Sequence, residues 1–247
     1  MTSVSRSGLL GGLWADFIRT TPQAERIRSL LADRGEVVHH DHIGLRTFAA
    51  PELGLGLDAL ACRFEAEGWR PRERYRLDAA HLRARYWQHD DPDAPKIFIS
   101  ELDVARLSPS ARAIIHRLLA ELPAGFAARP DLAWAGRPWT PSRADYEALL
   151  AENEHAARLA TLGFRVDHVT LDVAALITFP DLDALTAFLT EHAFRVELKR
   201  RPPRVRPDSI PIALADAAIR LPSGSYELAD RRSRRPPARY FPVSVAK

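Results

Sequence analysis

The stretch DHIGL at residues 41–45 returns as DHVTL at residues 167–171, an offset of 126 residues. Both copies open with an Asp-His pair and continue as a short apolar strand pattern. Each copy also has a glutamate 59 residues after its histidine, Glu101 in the first and Glu227 in the second. Landmarks that recur in one order at one spacing indicate an internal repeat.

The segments between these landmarks share one order of elements. An apolar helix pattern follows the first strand and ends in a small and an aromatic residue, Gly68-Trp69 in one copy and Ala193-Phe194 in the other. We therefore predict an α+β fold of two βαβββ modules that curl together, with a helical insert between them. One helix of the insert starts at Ser108-Pro109, and a second runs from Thr140 towards Leu162. The predicted divisions of this single domain are 1–38 (helical N-terminal segment), 39–103 (first module), 104–163 (helical insert), 164–232 (second module) and 233–247 (C-terminal tail).

The repeated histidines are the first candidates for chemistry. Side chains alternate between the two faces of a strand, which places His42 on the face away from the helix of its module. The same alternation puts His168 and Thr170 on the corresponding face of the second copy. We expect a curled sheet to bring His42, His168 and Glu227 together. Glu101 is a candidate fourth member of this group.

Two imidazoles and one carboxylate form the ligand set typical of non-haem iron(II) oxygenases, which keep positions open for substrate and dioxygen. The same donors suit zinc, manganese or nickel, so the ligand types do not identify the metal. His40 shares the strand parity of His42 and is an alternative ligand. A lone strand histidine is ordinarily a structural residue, and it is the repeat that favours a metal site here.

Arg46 lies on the same strand face as the first histidine. A guanidinium there is suited to hold a substrate carboxylate through two parallel hydrogen bonds. An ion pair of Arg46 with Asp172 or Glu101 is the alternative. Thr170 and Arg231 are further candidates for substrate binding.

Composition narrows the class of protein. The chain has 247 residues, of which 46% are hydrophobic and 27% charged, which excludes a collagen-like, coiled-coil or wholly disordered protein. No apolar run approaches the roughly 20 residues of a membrane helix, and no secretory cleavage site is evident, so we expect a cytoplasmic protein with no membrane partner. Cys62 is the only cysteine, which leaves no intrachain disulfide.

Two arginine clusters, at 199–206 and 231–235, could contact nucleic acid. The formal net charge is only +3, the clusters are rich in proline, and no nucleic-acid-binding motif accompanies them. We therefore predict solvated loops and no nucleic-acid partner. The oligomeric state is not predicted.

Four segments together resemble the 2-oxoadipate dioxygenase/decarboxylase family of the vicinal oxygen chelate superfamily. They are DHIGLRTF (41–48), KIFISEL (96–102), AENEHAARLATLGFRVDHVTLDV (151–173) and SYELADR (225–231). The resemblance implies iron(II) held by His42, His168 and Glu227, with Arg46 binding a substrate carboxylate. The chain departs from the family pattern at Asp167, where asparagine is usual, and at Arg158, where an aromatic residue is usual.

The resemblance implies conversion of 2-oxoadipate and dioxygen to 2-hydroxyglutarate and carbon dioxide, a reaction of lysine degradation. Two alternatives stay open. One is an oxygen-independent, metal-dependent lyase, isomerase or hydrolase of the same superfamily. The other is a relative that binds a small molecule without converting it.

Overall fold

A computed structural model describes residues 6–198, 217–221, 224–229 and 244–245. The helices of these residues are α1 (Arg6–Thr20), α2 (Pro22–Asp33), α3 (Leu57–Ala66), α4 (Pro109–Leu119), α5 (Arg143–Glu152), α6 (Glu154–Leu162) and α7 (Leu182–Glu191). Their strands are β1 (His40–Phe48), β2 (Arg70–Leu77), β3 (Leu82–Gln88), β4 (Lys96–Leu102), β5 (Val166–Asp172), β6 (Glu197–Leu198), β7 (Ala217–Leu221), β8 (Gly224–Ala229) and β9 (Ser244–Val245).

The repeat is visible in the sheet. The described strands form one sheet in the order β6-β7-β8-β5-β1-β4-β3-β2-β9. In each module the first strand pairs in parallel with the last, β1 with β4 and β5 with β8. The antiparallel pairing of β1 with β5 joins the two modules edge to edge. The predicted α+β fold of two βαβββ modules is confirmed.

The helix side of the first module holds the apolar core. Helix α3 buries Leu60, Ala61 and Phe64 and packs on β1, β3 and β4. On β1, the alternate residues Ile43 and Leu45 are buried almost completely. Each Å² of apolar surface that is buried stabilises the fold by about 25 cal/mol, so the apolar face of the strand turns toward the helix. The intervening residues of β1 therefore belong to the opposite face.

The insert differs from the prediction at one point. The single helix predicted from Thr140 to Leu162 is two helices, α5 and α6, separated at Asn153. Asn153 has an extended backbone, and its side-chain oxygen accepts hydrogen bonds from the backbone N–H groups of His155 and Ala156. An asparagine that caps a helix start in this way ends the preceding helix. Among the described residues, no helix is both long and apolar enough to cross a membrane.

Candidate active site

His42 and His168 meet where the two modules join. Their Nε2 atoms lie 3.0 Å apart, and the two imidazole planes are nearly perpendicular. Gly44 pairs with His168 across β1 and β5 and makes this approach possible. A Cβ atom on Gly44 would lie 2.1 Å from Cε1 of His168, so a side chain at this position would force the imidazole out of its place.

A β-bulge precedes each of these histidines. The pairing of β1 with β5 shifts by one residue between His40 and His42, which makes Asp41 an extra residue of β1. A second shift makes Asp167 the extra residue of β5, directly before His168. A bulge redirects side chains locally. Each aspartate can therefore reach the histidine that follows it.

The bulged aspartates orient both imidazoles. Asp41 Oδ2 lies 2.9 Å from Nδ1 of His42, and Asp167 Oδ2 lies 3.1 Å from Nδ1 of His168. An ionised carboxylate only accepts hydrogen bonds, so each Nδ1–H donates a hydrogen bond to its aspartate. Both Nε2 atoms then direct a lone pair toward the same point. This arrangement suits two imidazoles that share one electron-pair acceptor.

The surroundings of His42 are closed to solvent. The hydroxyl Oγ1 of Thr170 lies 3.3 Å from Nε2 of His42, and both residues are buried. The Phe98 ring lies 6.3 Å from the His42 imidazole, centroid to centroid. Lys96 donates a hydrogen bond of 2.7 Å to the second carboxylate oxygen of Asp41. Of the predicted substrate-binding residues, Thr170 is therefore beside the histidine pair.

The glutamates of the two modules are placed differently. The parallel register pairs Glu227 with Thr170, on the face that carries His168. Glu101 pairs with Thr47, on the opposite face of β1. Its carboxylate accepts a hydrogen bond of 2.9 Å from the backbone N–H of Leu57 at the start of α3 and forms an ion pair with Arg83. These contacts place Glu101 on the helix side of the sheet, away from the histidine pair.

His40 is separated from the pair by the bulge at Asp41. It pairs with Leu171 on the helix face of β5, and its ring lies 5.4 Å from that of Trp14. Burial is the main cause that lowers the pKa of His40 to about 4, and nearby positive charge adds to the effect. The alternative of His40 in place of His42 is therefore not supported. Among the described side chains, no three His, Cys, Asp or Glu residues are grouped to hold a metal ion.

Arg46 contacts neither of the carboxylates named as alternatives. Its Nη2 atom donates a hydrogen bond of 2.9 Å to Oδ2 of Asp167, and Nε of Arg158 donates one of 2.5 Å to Oδ1. Burial alone would raise the pKa of Asp167, but Arg46, the hydrogen bond with His168 and Arg158 hold it well below its usual range. Asp167 is thus an ionised link between both arginines and the imidazole.

Sequence analysis did not identify Asp41, Asp167, Gly44 or Arg158 as parts of this site. One signal was present, because an aspartate precedes the histidine in both copies of the repeat. The predicted substrate-binding residue Arg231 and both arginine clusters lie outside the described residues.

Comparison with known proteins gives relatives for most of the chain. No protein-family model matches it. The chain is 27% identical over 224 residues to a chloroplastic/amyloplastic 2-oxoadipate dioxygenase/decarboxylase of rice (Oryza sativa subsp. japonica). The match covers 82% of this chain and 60% of the rice protein, so the chain spans three fifths of the length of this relative.

Two solved structures are also similar. One, from Shewanella frigidimarina and provisionally named a hydrolase, is 30% identical with a TM-score of 0.79, covering 96% of this chain and 97% of that one. The other is a hydroxyglutarate synthase of Oryza sativa in complex with 2-oxoadipate. It is 25% identical with a TM-score of 0.74, covering 90% of this chain and 79% of that one.

Proposed function

Because this chain belongs to the 2-oxoadipate dioxygenase/decarboxylase family of the vicinal oxygen chelate superfamily, we propose that it is an iron(II)-dependent dioxygenase/decarboxylase. The proposed substrates are dioxygen and a 2-oxo dicarboxylic acid, with 2-oxoadipate as the first choice. The rice structure bound to 2-oxoadipate and the name of the rice relative support this choice. The proposed products are 2-hydroxyglutarate and carbon dioxide, which together contain every atom of 2-oxoadipate and dioxygen.

The observation that carries the proposal is the approach of the two Nε2 atoms of His42 and His168 to 3.0 Å. With each Nδ1–H donating to its aspartate, Asp41 or Asp167, both Nε2 atoms keep an electron pair that a divalent cation can accept. The donor set therefore fits a divalent metal. His42 and His168 would supply two ligands and Glu227, at the register position of Thr170, the third.

The residues of the chain have distinct parts in this proposal. Bound iron(II) would activate dioxygen and polarise the 2-oxo acid. Asp41 and Asp167 hold the imidazoles in the tautomer that ligation needs, and they fix the ring orientations. Arg46 binds a substrate carboxylate. Burial of His42 and Thr170 excludes water from the reacting atoms.

Oxygen consumption tests the proposal directly. The chain is loaded with iron(II) without air, given 2-oxoadipate and then oxygen, and its uptake of oxygen and release of carbon dioxide are measured. We expect equal amounts of both, and loss of both in His168→Ala. The matched control is His116→Ala, because His116 is exposed on α4, away from the site. Metal binding without oxygen uptake would overturn the proposal.

The Shewanella relative favours a second candidate, a metal-dependent hydrolase, because its provisional name describes that class and it is 30% identical to this chain. Such an enzyme needs no oxygen. For this candidate, we expect the chain loaded with zinc or manganese to turn over ester or amide substrates without air. We also expect no oxygen uptake by the chain loaded with iron.

A further inference from the structure

Lys96 is the first residue of β4 and lies opposite His42 in the parallel pairing of β1 with β4. Residues at one register position of paired strands point to the same face of a sheet, so Lys96 belongs to the face that carries the histidine pair. Its Nζ atom donates a hydrogen bond of 2.7 Å to Oδ1 of Asp41. The other oxygen of this carboxylate, Oδ2, lies 2.9 Å from Nδ1 of His42. One carboxylate therefore joins the ammonium to the imidazole.

This connection is buried. The side chains of Asp41 and His42 are 1% and 4% exposed, and that of Lys96 is 16% exposed. A carboxylate in such a place needs an opposite charge beside it, because burial of an unpaired charge is costly. The terminal torsion of an aspartate side chain is broad, so either oxygen can turn toward a neighbour. The hydrogen bond from Lys96 to Oδ1 fixes the carboxylate plane and keeps Oδ2 directed at the imidazole.

The second module reaches the same arrangement with different residues. Its aspartate, Asp167, contacts Nδ1 of His168 and accepts hydrogen bonds from guanidinium groups on β1 and α6, those of Arg46 and Arg158. The register partner of His168 is Ser225, so no cation occupies that position. A cation on the aspartate beside each histidine is therefore not a consequence of the repeat. Its recurrence from unrelated positions points to a requirement of the histidine pair itself.

We propose that Lys96 is a positioning residue that, through Asp41, holds His42 with its proton on Nδ1 and its Nε2 turned toward His168. The inference deepens the proposed function and rests on it only for the metal that His42 would bind. An imidazole held in this tautomer offers its Nε2 electron pair without having to reorient. Partners of this kind, one step behind a ligand, set the affinity of a metal site.

Nitrogen NMR of the metal-free chain reads the tautomer directly. The whole chain is labelled with ¹⁵N at its histidines, freed of metal with EDTA and measured at about pH 8, above the ordinary histidine pKa of about 6.5. His42→Gln identifies the His42 signals among those of the nine histidines. We expect the proton of His42 on Nδ1 in the wild type. A wild-type His42 with its proton on Nε2 would overturn the inference without any variant of Lys96.

Two substitutions locate the effect. Lys96→Met removes the ammonium, and we expect a mixture of His42 tautomers and a fall of about tenfold or more in the affinity for zinc. Lys96→Arg keeps a charged donor and should retain the wild-type tautomer and most of the zinc affinity. Within each spectrum His168 is the internal control, because Asp167 holds its tautomer independently of Lys96.

Arg143→Met is the matched control variant, because Arg143 is 90% exposed on α5 and should change neither the tautomer nor the zinc affinity. A folded Lys96→Met chain with the wild-type His42 tautomer and unchanged zinc affinity would overturn the inference. Equal loss of the tautomer at His42 and His168 would mean a general structural role and would also overturn it. So would a loss in Lys96→Arg as complete as in Lys96→Met, because packing and not the charged donor would then be responsible.

Oxygen uptake by the iron-loaded chain with 2-oxoadipate separates this inference from the proposed function. Uptake by a wild type whose His42 carries its proton on Nε2 overturns the inference alone. A His42 tautomer that depends on Lys96, without oxygen uptake, overturns the proposed function and leaves the role of Lys96 in place.

Discussion

Glu101 and Glu227 occupy equivalent places in the two repeats yet lie on opposite faces of the sheet. In the first module His42 pairs with Lys96, which puts Glu101 five residues further along β4. In the second module His168 pairs with Ser225, which puts Glu227 only two residues further along β8. The registers differ by three residues. Because an odd shift exchanges the two faces of a strand, only Glu227 is on the histidine side.

This difference predicts opposite results for one substitution made in each repeat. Glu227→Gln should abolish tight binding of iron(II) or zinc, because it removes a proposed ligand. Glu101→Gln should keep one metal per chain and lower the free energy of unfolding by about 1 kcal/mol, since it weakens a carboxylate contact at the start of α3. Metal content per chain and urea denaturation measure the two effects. Loss of metal in Glu101→Gln would contradict the register argument.

Gly44 is predicted to be essential for the position of His168. Gly44→Ala places a methyl group within 2.5 Å of three imidazole atoms, so the ring must move. We expect metal affinity to fall by about tenfold or more, as for loss of an orienting contact. Gly11→Ala is the control, because a Cβ atom there meets nothing within 4 Å. Unchanged metal affinity in Gly44→Ala would show that the histidine pair is not the binding site.

The buried pair of Asp41 and Lys96 is predicted to stabilise the fold only as a unit. Asp41→Asn leaves the Lys96 ammonium partly buried beside a neutral amide, and we expect a loss of about 2 kcal/mol or more in the free energy of unfolding. The double variant Asp41→Asn with Lys96→Met should recover part of that loss. Urea denaturation of the single and the double variant measures the energetic coupling between Asp41 and Lys96. Equal stability of single and double variants would argue against it.

Stability is predicted to fall as the pH is lowered from about 6.5 toward 4. The pKa of His155 is lowered to about 4, so the folded chain keeps this imidazole neutral where the unfolded chain binds a proton. Protonation of the unfolded state then favours unfolding below its ordinary pKa of 6.5, by about 1–3 kcal/mol. Urea denaturation at pH 7 and pH 5 measures the loss. His155→Gln should reduce it, and His116→Gln, at an exposed position, should not.

Much of the fold followed from local patterns. The strand at residues 41–48 and the helix with Leu60, Ala61 and Phe64 occur where alternation and helical periodicity placed them. The insert was predicted less well, because the helical pattern continues through Asn153 while its side chain caps α6. The repeat also identified His42 and His168 as a pair, since each lies in an equivalent strand of its module.

The sequence by itself thus determined the repeat, the order of elements and the two histidines, because these depend on spacing along the chain. Only the tertiary structure decided which face Glu101 occupies, which partner Arg46 takes, and that the two departures from the family pattern, Asp167 and Arg158, contact each other. Register and bulges depend on packing between strands distant in sequence. A shift of one residue exchanges the faces of a strand, and no local pattern records it.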